Sequence, residues 1–578
     1  MQSFIKTIFI SIVFYCSNAL AATYYVASTG SDSNNGISTS TPFLTINKAL
    51  LTAIYPGDNI LLNRGDTWRT AQFPQFSGNS SSAITISNYG SGDLPKIRGM
   101  AIKDSLSFSR VGITNEWSIS GESVQPKILY VDNVKWTRGT AGSLAIDEWD
   151  WTSASGGTIF VYGDPTGKVV EAGSISHGFY FDTQHHFVID GVDIGYTNSD
   201  SVFLTSTSHD ITVKNCNISS NFLYGIFSTS SGSGNIIDNN VMTDFAFQGV
   251  LFSDGNSIRI SNNEISYAGY SGIKISNADT ISVYGNEVSH CATTLAEMIN
   301  VEGVNVSIYN NYVHDNLEAV SYAGEGIDAF HSNNVEIYGN IIENTNRCGI
   351  YSDGSVNVSI HHNLLVNPHD WGISFNDETG GYGNTNGIAY NNVLIGTDSG
   401  VKDALVVSDQ LLGHYLTGVK YYNNSVYGFR RGAGLTGSGH TGVEYKNNIF
   451  DASTEVCVLN FDSANIVLNR NIYHPSTGFL ATFNGIDYDN SIYGFEQFKL
   501  ATGQDVNSIF SDPYYINPLG SDLSVIHGSP ATYRAEVLSN DFTTDFNGLI
   551  RGSRWSIGAY ESSKWTKVIN SKLVNVYF

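Results

Sequence analysis

The sequence predicts an all-β solenoid built from stacked parallel coils, and three observations carry that prediction. Between Val304 and Asn392 one plan repeats. A short alternating strand (VSIY, VEIY, VSIH) runs into an asparagine and aliphatic residues, then a polar turn, then a Gly-Ile strand (GIDAF, GIYSD, GISFN). Alternation with period two marks half-buried strands, and the turns between them are too short for helices. The asparagine recurs at 240, 263, 286, 311, 340, 363, 392, 424, 448 and 471, often 23 residues apart. A unit this short cannot close a core alone and must stack on its neighbours. Composition agrees: charged residues are 14%, with 58 Gly, 11 Pro, 33 Tyr and 30 Phe. That profile suits many tight turns and few exposed helices.

The repeating asparagine has a physical rationale. Asn tolerates left-handed backbone at a tight bend, and its amide can bond to the Asn of the next coil, forming a ladder. Cys216 takes this position in the coil before Asn240. Three coils are longer, spanning 29 residues from 311 to 340, 29 from 363 to 392 and 32 from 392 to 424. Their extra residues must loop out from the stack, and loops on a rigid scaffold are where function concentrates.

In chain order, residues 1–21 read as an export signal. Lys6 supplies positive charge, Ile8 to Tyr15 the apolar stretch, and Ala19-Leu20-Ala21 a small-residue cleavage site. The apolar run is too short to span a bilayer, and bulky Tyr15 before Cys16 argues against a lipoprotein. A secreted protein, extracellular or periplasmic, is therefore expected, with no membrane insertion. Residues 22–100 read as an N-terminal cap and first coils, with strands at Tyr24–Ala27 and Asn59–Leu62. A short helix over Thr45–Leu51 would cover the open strand edges of the solenoid end. Residues 101–180 break the rhythm and read as a β-rich insertion around Trp117, Trp136, Trp149 and Trp151. The repeating core is expected over 181–475, and a C-terminal cap over 476–561 with a helix near Phe495–Thr502. Residues 562–578 form a tail.

The cysteines that would remain after cleavage are 216, 291, 348 and 457. With roughly 4.8 Å of rise per coil, Cys216 and Cys291 are separated by about three coils, beyond the roughly 7 Å that a disulfide spans. Four buried free thiols are expected. The chain carries 53 acidic against 29 basic side chains, a net charge of −24. Such an excess repels nucleic acid and anionic membranes, and disfavours polyanionic substrates unless a cation bridges them.

The segments YYVASTGSDSNNG and PFLTINKAL, the asparagine coils, and the closing HGSPA and IGAYE resemble secreted right-handed parallel β-helix proteins of the pectate-lyase-like superfamily. The resemblance spans nearly all of the mature chain. It implies a single-stranded right-handed parallel β-helix and a polysaccharide or glycan as partner, with the chain acting as a monomer. Members include polysaccharide lyases, glycoside hydrolases, uronan epimerases and non-catalytic surface proteins, so the fold does not choose the reaction.

Aligning the Gly-Ile strands yields outward columns. One reads Leu251, Lys274, Asn300, Asp328, Tyr351, Ser374; the next reads Ser253, Ser276, Glu302, Phe330, Asp353, Asn376. Asp328 then has Glu302 and Asp353 on the coils either side, at roughly 8 Å. That separation suits an inverting glycosidase, with one carboxylic acid protonating the leaving group and a carboxylate activating water. This reading needs no metal. Tyr351 and Trp371 would stack on sugar rings, and Lys274, Arg347, His331, His369 and Asp370 would line the groove. Glu325, just before its strand, is a further binding candidate or a turn residue. In a second reading, Glu302, Asp328 and Asp353 hold Ca²⁺ while Lys274 or Arg347 removes a proton for β-elimination on a uronic-acid polymer. A third reading is a non-catalytic, glycan-binding surface protein. The NPHD at 367–370 is similar to the DPHD of mannuronan epimerases but differs in its first residue and precedes its Gly-Ile strand.

Overall fold

The computed structural model describes residues 21–562, except 295, 317–323, 379–382, 384, 398–400, 410–414, 438 and 461–465. The expected export signal up to residue 20 and the tail from 563 lie outside the described residues. So does much of the extra length in the three long coils.

The chain winds into a parallel β-solenoid of about 16 turns. Each regular coil lays one strand on each of three faces. The first face holds the Gly-Ile strands, beginning with His177–Phe181, Asp200–Leu204 and Tyr224–Ser228 and ending at Phe479–Phe483. The second holds the alternating strands, from Thr23–Val26, Asn59–Asn63 and Ile84–Tyr89 to Ile466–Asn469. The third holds short aliphatic strands, from Thr67–Trp68 to Ile509–Phe510. Two strands, Ile273–Tyr284 and Ile299–Tyr309, run unbroken from the first face onto the second. Because side chains alternate, one residue in two points inward. Ile226, Val250, Ile273, Ile299, Ile327, Ile350 and Ile373 are paired in register from coil to coil. All seven are fully buried, each worth about 1.5–3 kcal/mol of burial.

The asparagine ladder is present and continuous. Asn240 Nδ2 donates to Asn263 Oδ1 at 2.9 Å, and the same bond links 263–286, 286–311, 311–340, 340–363, 363–392, 392–424, 424–448 and 448–471. Each Oδ1 also accepts the backbone N–H of the preceding ladder residue, and Cys216 N–H donates to Asn240 in the same way at 3.0 Å. The expected left-handed backbone sits one residue earlier. Asn239, Asn262, Gly285, Asn310, Gly339, His362, Asn391, Asn423, Asn447 and Arg470 have positive φ, whereas the ladder residues do not. The bend is made by the preceding residue, which frees the ladder Asn to direct its amide inward.

The ends and the insertion follow their local sequences. The helix Ile46–Leu50 is N-capped by Thr45, whose hydroxyl accepts Lys48 N–H at 3.1 Å. Its Ile46, Ala49 and Leu50 join the main core. At the other end, the helix Ile492–Thr502 is N-capped by Ser491 and stopped by left-handed Gly503. The remainder of the expected C-terminal cap does something else. Leu523, Ala559 and Tyr560 pack on Val393 and Ile395, and Leu538, Phe542 and Trp555 pack on Tyr422. Buried Arg551 donates to Asn391 Oδ1 at 2.8 Å. The segment from 511 to 562 thus folds back along the flank of the solenoid, because its aromatic residues find apolar outer positions there.

The insertion forms a four-stranded and a five-stranded sheet between Met100 and Gly173. The strand His177–Phe181, within the expected insertion range, instead pairs in parallel with Asp200–Leu204 of the solenoid. Trp136 and Trp149 lie in the insertion's own core, with Trp117 and Trp151 against it. Trp149→Ala is expected to cost about 3–5 kcal/mol and to expose residues 100–173 to limited proteolysis while the solenoid stays intact. Equal protease resistance of variant and wild type would contradict that core. The thiols of Cys216, Cys291, Cys348 and Cys457 are buried and unbridged, and burial pushes that of Cys216 up to about 12.

Candidate active site

Strand pairing on the first face fixes one outward column. It runs Tyr180, Phe203, Phe227, Leu251, Lys274, Asn300, Asp328, Tyr351, Ser374 in register. Asp328 is central to it. Although it lies on the outer wall, it is only 2% exposed. Asn300 Nδ2 donates to its Oδ2 at 3.0 Å, while its Oδ1 has no hydrogen-bond partner among the described residues. Burial holds this carboxyl well above the usual range, and the charges of Glu297, Asp353 and Glu325 push the same way against Lys274.

Glu325 and Asp353 are nearly as buried, at 3% and 4% exposure. Phe330 and Asp353 are register partners, one coil apart. Glu325 Oε1 accepts from Arg347 Nη1 at 2.5 Å, and Arg347 Nη2 donates to Glu378 Oε1 at 3.1 Å. Glu378 Oε1 also accepts the Tyr351 hydroxyl at 2.5 Å, and Glu378 N–H donates to Asp353 Oδ1 at 2.9 Å. Five carboxyl groups thus surround two cations, Arg347 and Lys274. Burial pushes Glu325 up to about 7 despite Arg347, which it shares with Glu378, and pushes Asp353 up to about 7. Arg347 lies over the rings of Tyr351 and Trp371, at 5.7 and 5.9 Å, and those rings stack at 6.2 Å.

The remaining expected residues fall at the margins. Glu302 is half-buried, one residue beyond the Val301–Ala329 pair. Glu297, not singled out by the sequence columns, is the carboxylate whose charge acts most strongly on Asp328. His331 occupies a left-handed bend, its ring stacked on Phe330 at 3.9 Å. His369 donates its N–H to Thr345 O, and Asp370 pairs with Lys402. The acids expected to hold Ca²⁺ do not converge. Among the described residues, the three-ligand grouping is His186, His209 and Asp210, elsewhere on the chain.

Two features were not read from sequence. Glu378 follows the strand Trp371–Asp377, where alternation no longer fixes direction. The second is an aromatic run, half-exposed, continuing the column toward the N-terminus. Phe203 lies 5.6 Å from Tyr180 and 5.1 Å from Phe227, and Tyr224, Phe247 and Tyr270 continue alongside it. Extending the Gly-Ile alignment back through HGFYF, DSVFL and YGIFS would have found it.

The raised carboxyls have a consequence for stability. A carboxyl whose pKa is higher in the folded than in the unfolded chain stabilises the fold at low pH. That contribution is lost as pH rises from about 4 through about 7, at most about 3–4 kcal/mol per group. Thermal melts should therefore show the midpoint falling between pH 5 and 8, with a shallower fall in Glu325→Gln and Asp353→Asn. Identical slopes in all three proteins would refute the assignment.

A family model described as a right handed beta helix region matches residues 200–365 and 248–410. The chain is a right-handed parallel β-helix. It is similar to a structure of XylC in complex with xylose, at 15% identity and TM-score 0.48, covering 94% of this chain and 98% of that one. It is also similar to a glycoside hydrolase, at 11% identity and TM-score 0.44, covering 74% and 96%. Likeness to the pectate lyase Pel9A is 15% identity with TM-score 0.32, covering 94% and 96%. These likenesses concern the fold alone. No curated protein sequence matches the chain.

Proposed function

We propose that this protein is an exported, monomeric glycan hydrolase that cleaves a neutral or weakly acidic polysaccharide along the first face of its β-helix. The observation that carries this reading is Asp328, a buried carboxyl on the outer wall with one oxygen unpaired among the described residues and acids on either side. Burial and the neighbouring negative charges raise this carboxyl well above its usual range, which favours the protonated form that can donate.

In this reading the neutral Asp328 gives its proton to the glycosidic oxygen as the bond to the anomeric carbon breaks. Glu378, fixed by Arg347 and Tyr351 and 26% exposed at its side chain, takes a proton from the water that attacks that carbon. Asp353 is a positioning residue, since its Oδ1 accepts the Glu378 backbone N–H. Half-buried Trp371 and the run through Phe227, Phe203 and Tyr180 offer sugar-sized apolar faces in line with the acids, whereas the Tyr351 ring is itself buried and positions Glu378. A net charge of −24 favours uncharged chains over polyuronates.

The test is a polysaccharide panel read for reducing ends and for ultraviolet-absorbing unsaturated ends together, with and without EDTA. New reducing ends without absorbance, insensitive to chelation, are expected. Unsaturated ends lost on chelation would replace this reading by metal-assisted elimination, and binding without cleavage by a non-catalytic role.

A further inference from the structure

A second cluster stands about five coils from Asp328 toward the N-terminus, roughly 24 Å at the strand spacing. The strand His185–Asp190 pairs in parallel with His209–Lys214, with His185 opposite His209 and Phe187 opposite Ile211. His186 and Asp210 therefore occupy matching positions on adjacent coils, and both have left-handed backbone at φ 52°. That shared bend brings two imidazoles and one carboxylate together at the corner between the first and second faces. His186 Nε2 lies 3.4 Å and His209 Nδ1 2.7 Å from the same oxygen, Asp210 Oδ2. The ligand atoms of the three residues all lie within 4.8 Å of one another.

We propose that His186, His209 and Asp210 form a binding site for one divalent transition-metal ion, Zn²⁺ fitting best, which bridges two neighbouring coils. Two imidazole nitrogens and a carboxylate oxygen are a borderline-soft donor set suited to Zn²⁺ and poorly suited to Ca²⁺ or Mg²⁺. In a tetrahedral site with bonds of about 2.0–2.1 Å, neighbouring donors stand about 3.3 Å apart. The His186–Asp210 separation already matches this, and the His209–Asp210 contact has only to open from hydrogen-bond length. His185 supports the arrangement twice. Its Nδ1 lies 2.8 Å from His186 Nδ1, and its ring lies flat on that of His209 at 4.6 Å and 13°. When His186 donates from Nδ1 to His185, its Nε2 lone pair is left facing the Asp210 oxygen, an arrangement that a cation between them relieves. An outer partner of this kind fixes the tautomer and the ring direction of a metal-bound histidine. All three ligands are half-exposed, which leaves room for water in the fourth position. The site is independent of the proposed cleavage chemistry and acts as a clamp between coils.

Tag-free protein stripped with a chelator and titrated with Zn²⁺ alone tests the proposal. One equivalent should bind calorimetrically and raise the melting temperature, and Co²⁺ in its place should give visible absorption bands of a low-coordinate site. His186→Ala should lose both the stoichiometric binding and the melting shift, and His185→Phe should bind about 10–100-fold more weakly. If His186→Ala fails to fold by circular dichroism, His209→Gln is the second variant, with the same expected losses. Absence of stoichiometric uptake by wild type, or uptake unchanged in the folded variant, overturns the proposal. Glycan cleavage is expected to survive stripping, so either assignment can fail without the other.

Discussion

Asp328→Asn is expected to lower glycan cleavage by about 10²–10⁴-fold, the contribution typical of a positioned general acid, without weakening the fold. Asn has nearly the same shape, and its amide oxygen can still accept from Asn300 Nδ2, which now donates to Asp328 Oδ2. What disappears is the proton. Toward higher pH the substitution should even stabilise. A carboxyl held well above its usual range contributes stability only while protonated, and that contribution is lost as pH rises through its folded pKa. A neutral amide has no such loss. Initial rates, with melting curves at pH 5 and pH 8, decide the matter. Unchanged rates would remove Asp328 from the chemistry. A variant melting well below wild type at both pH values would make it a structural residue.

Asn340→Ala is expected to be among the most destabilising single substitutions in the solenoid. Asn340 Oδ1 accepts both the N–H and the side-chain amide of Asn311, and its own Nδ2 donates to Ile308 O and Asn363 Oδ1. Truncation strands several buried polar groups, each costing about 1–3 kcal/mol, so a loss of at least about 3 kcal/mol follows. The neighbouring position supplies the control. Asn239→Gly replaces an exposed left-handed residue, and Gly285 and Gly339 already stand at the equivalent position. That change should cost only a few tenths of a kcal/mol. Chemical denaturation of both variants checks the pair. Equal midpoints would mean that the ladder does not hold the coils together.

The wall was legible in the sequence because strand alternation fixes which residues share a face, and coil spacing fixes which share a column. Lys274, Asn300, Asp328 and Tyr351 follow from those two periods alone. Glu297 and Glu378 do not, since both lie outside the strands, where direction depends on partners such as Arg347 and the Asp353 carboxylate. The ladder was foreseen but its left-handed residue was placed one position late, because Asn suits both the bend and the amide stack. The return of residues 511–562 along the flank was hidden for a related reason. Apolar outer positions such as Tyr422 and Ile395 look like core until a partner is seen to cover them. The histidine cluster depends on His185 and His209 falling opposite one another across coils outside the stretch where the repeat is clearest.

The most direct measurement is digestion of a cleaved polysaccharide in ¹⁸O-labelled water, with the products examined by mass spectrometry. If Asp328 and Glu378 direct water onto the anomeric carbon, each new reducing end carries one labelled oxygen and every fragment is saturated. Unlabelled reducing ends, or fragments bearing a double bond, would show that water is not the attacking group and would contradict the two-carboxylate account.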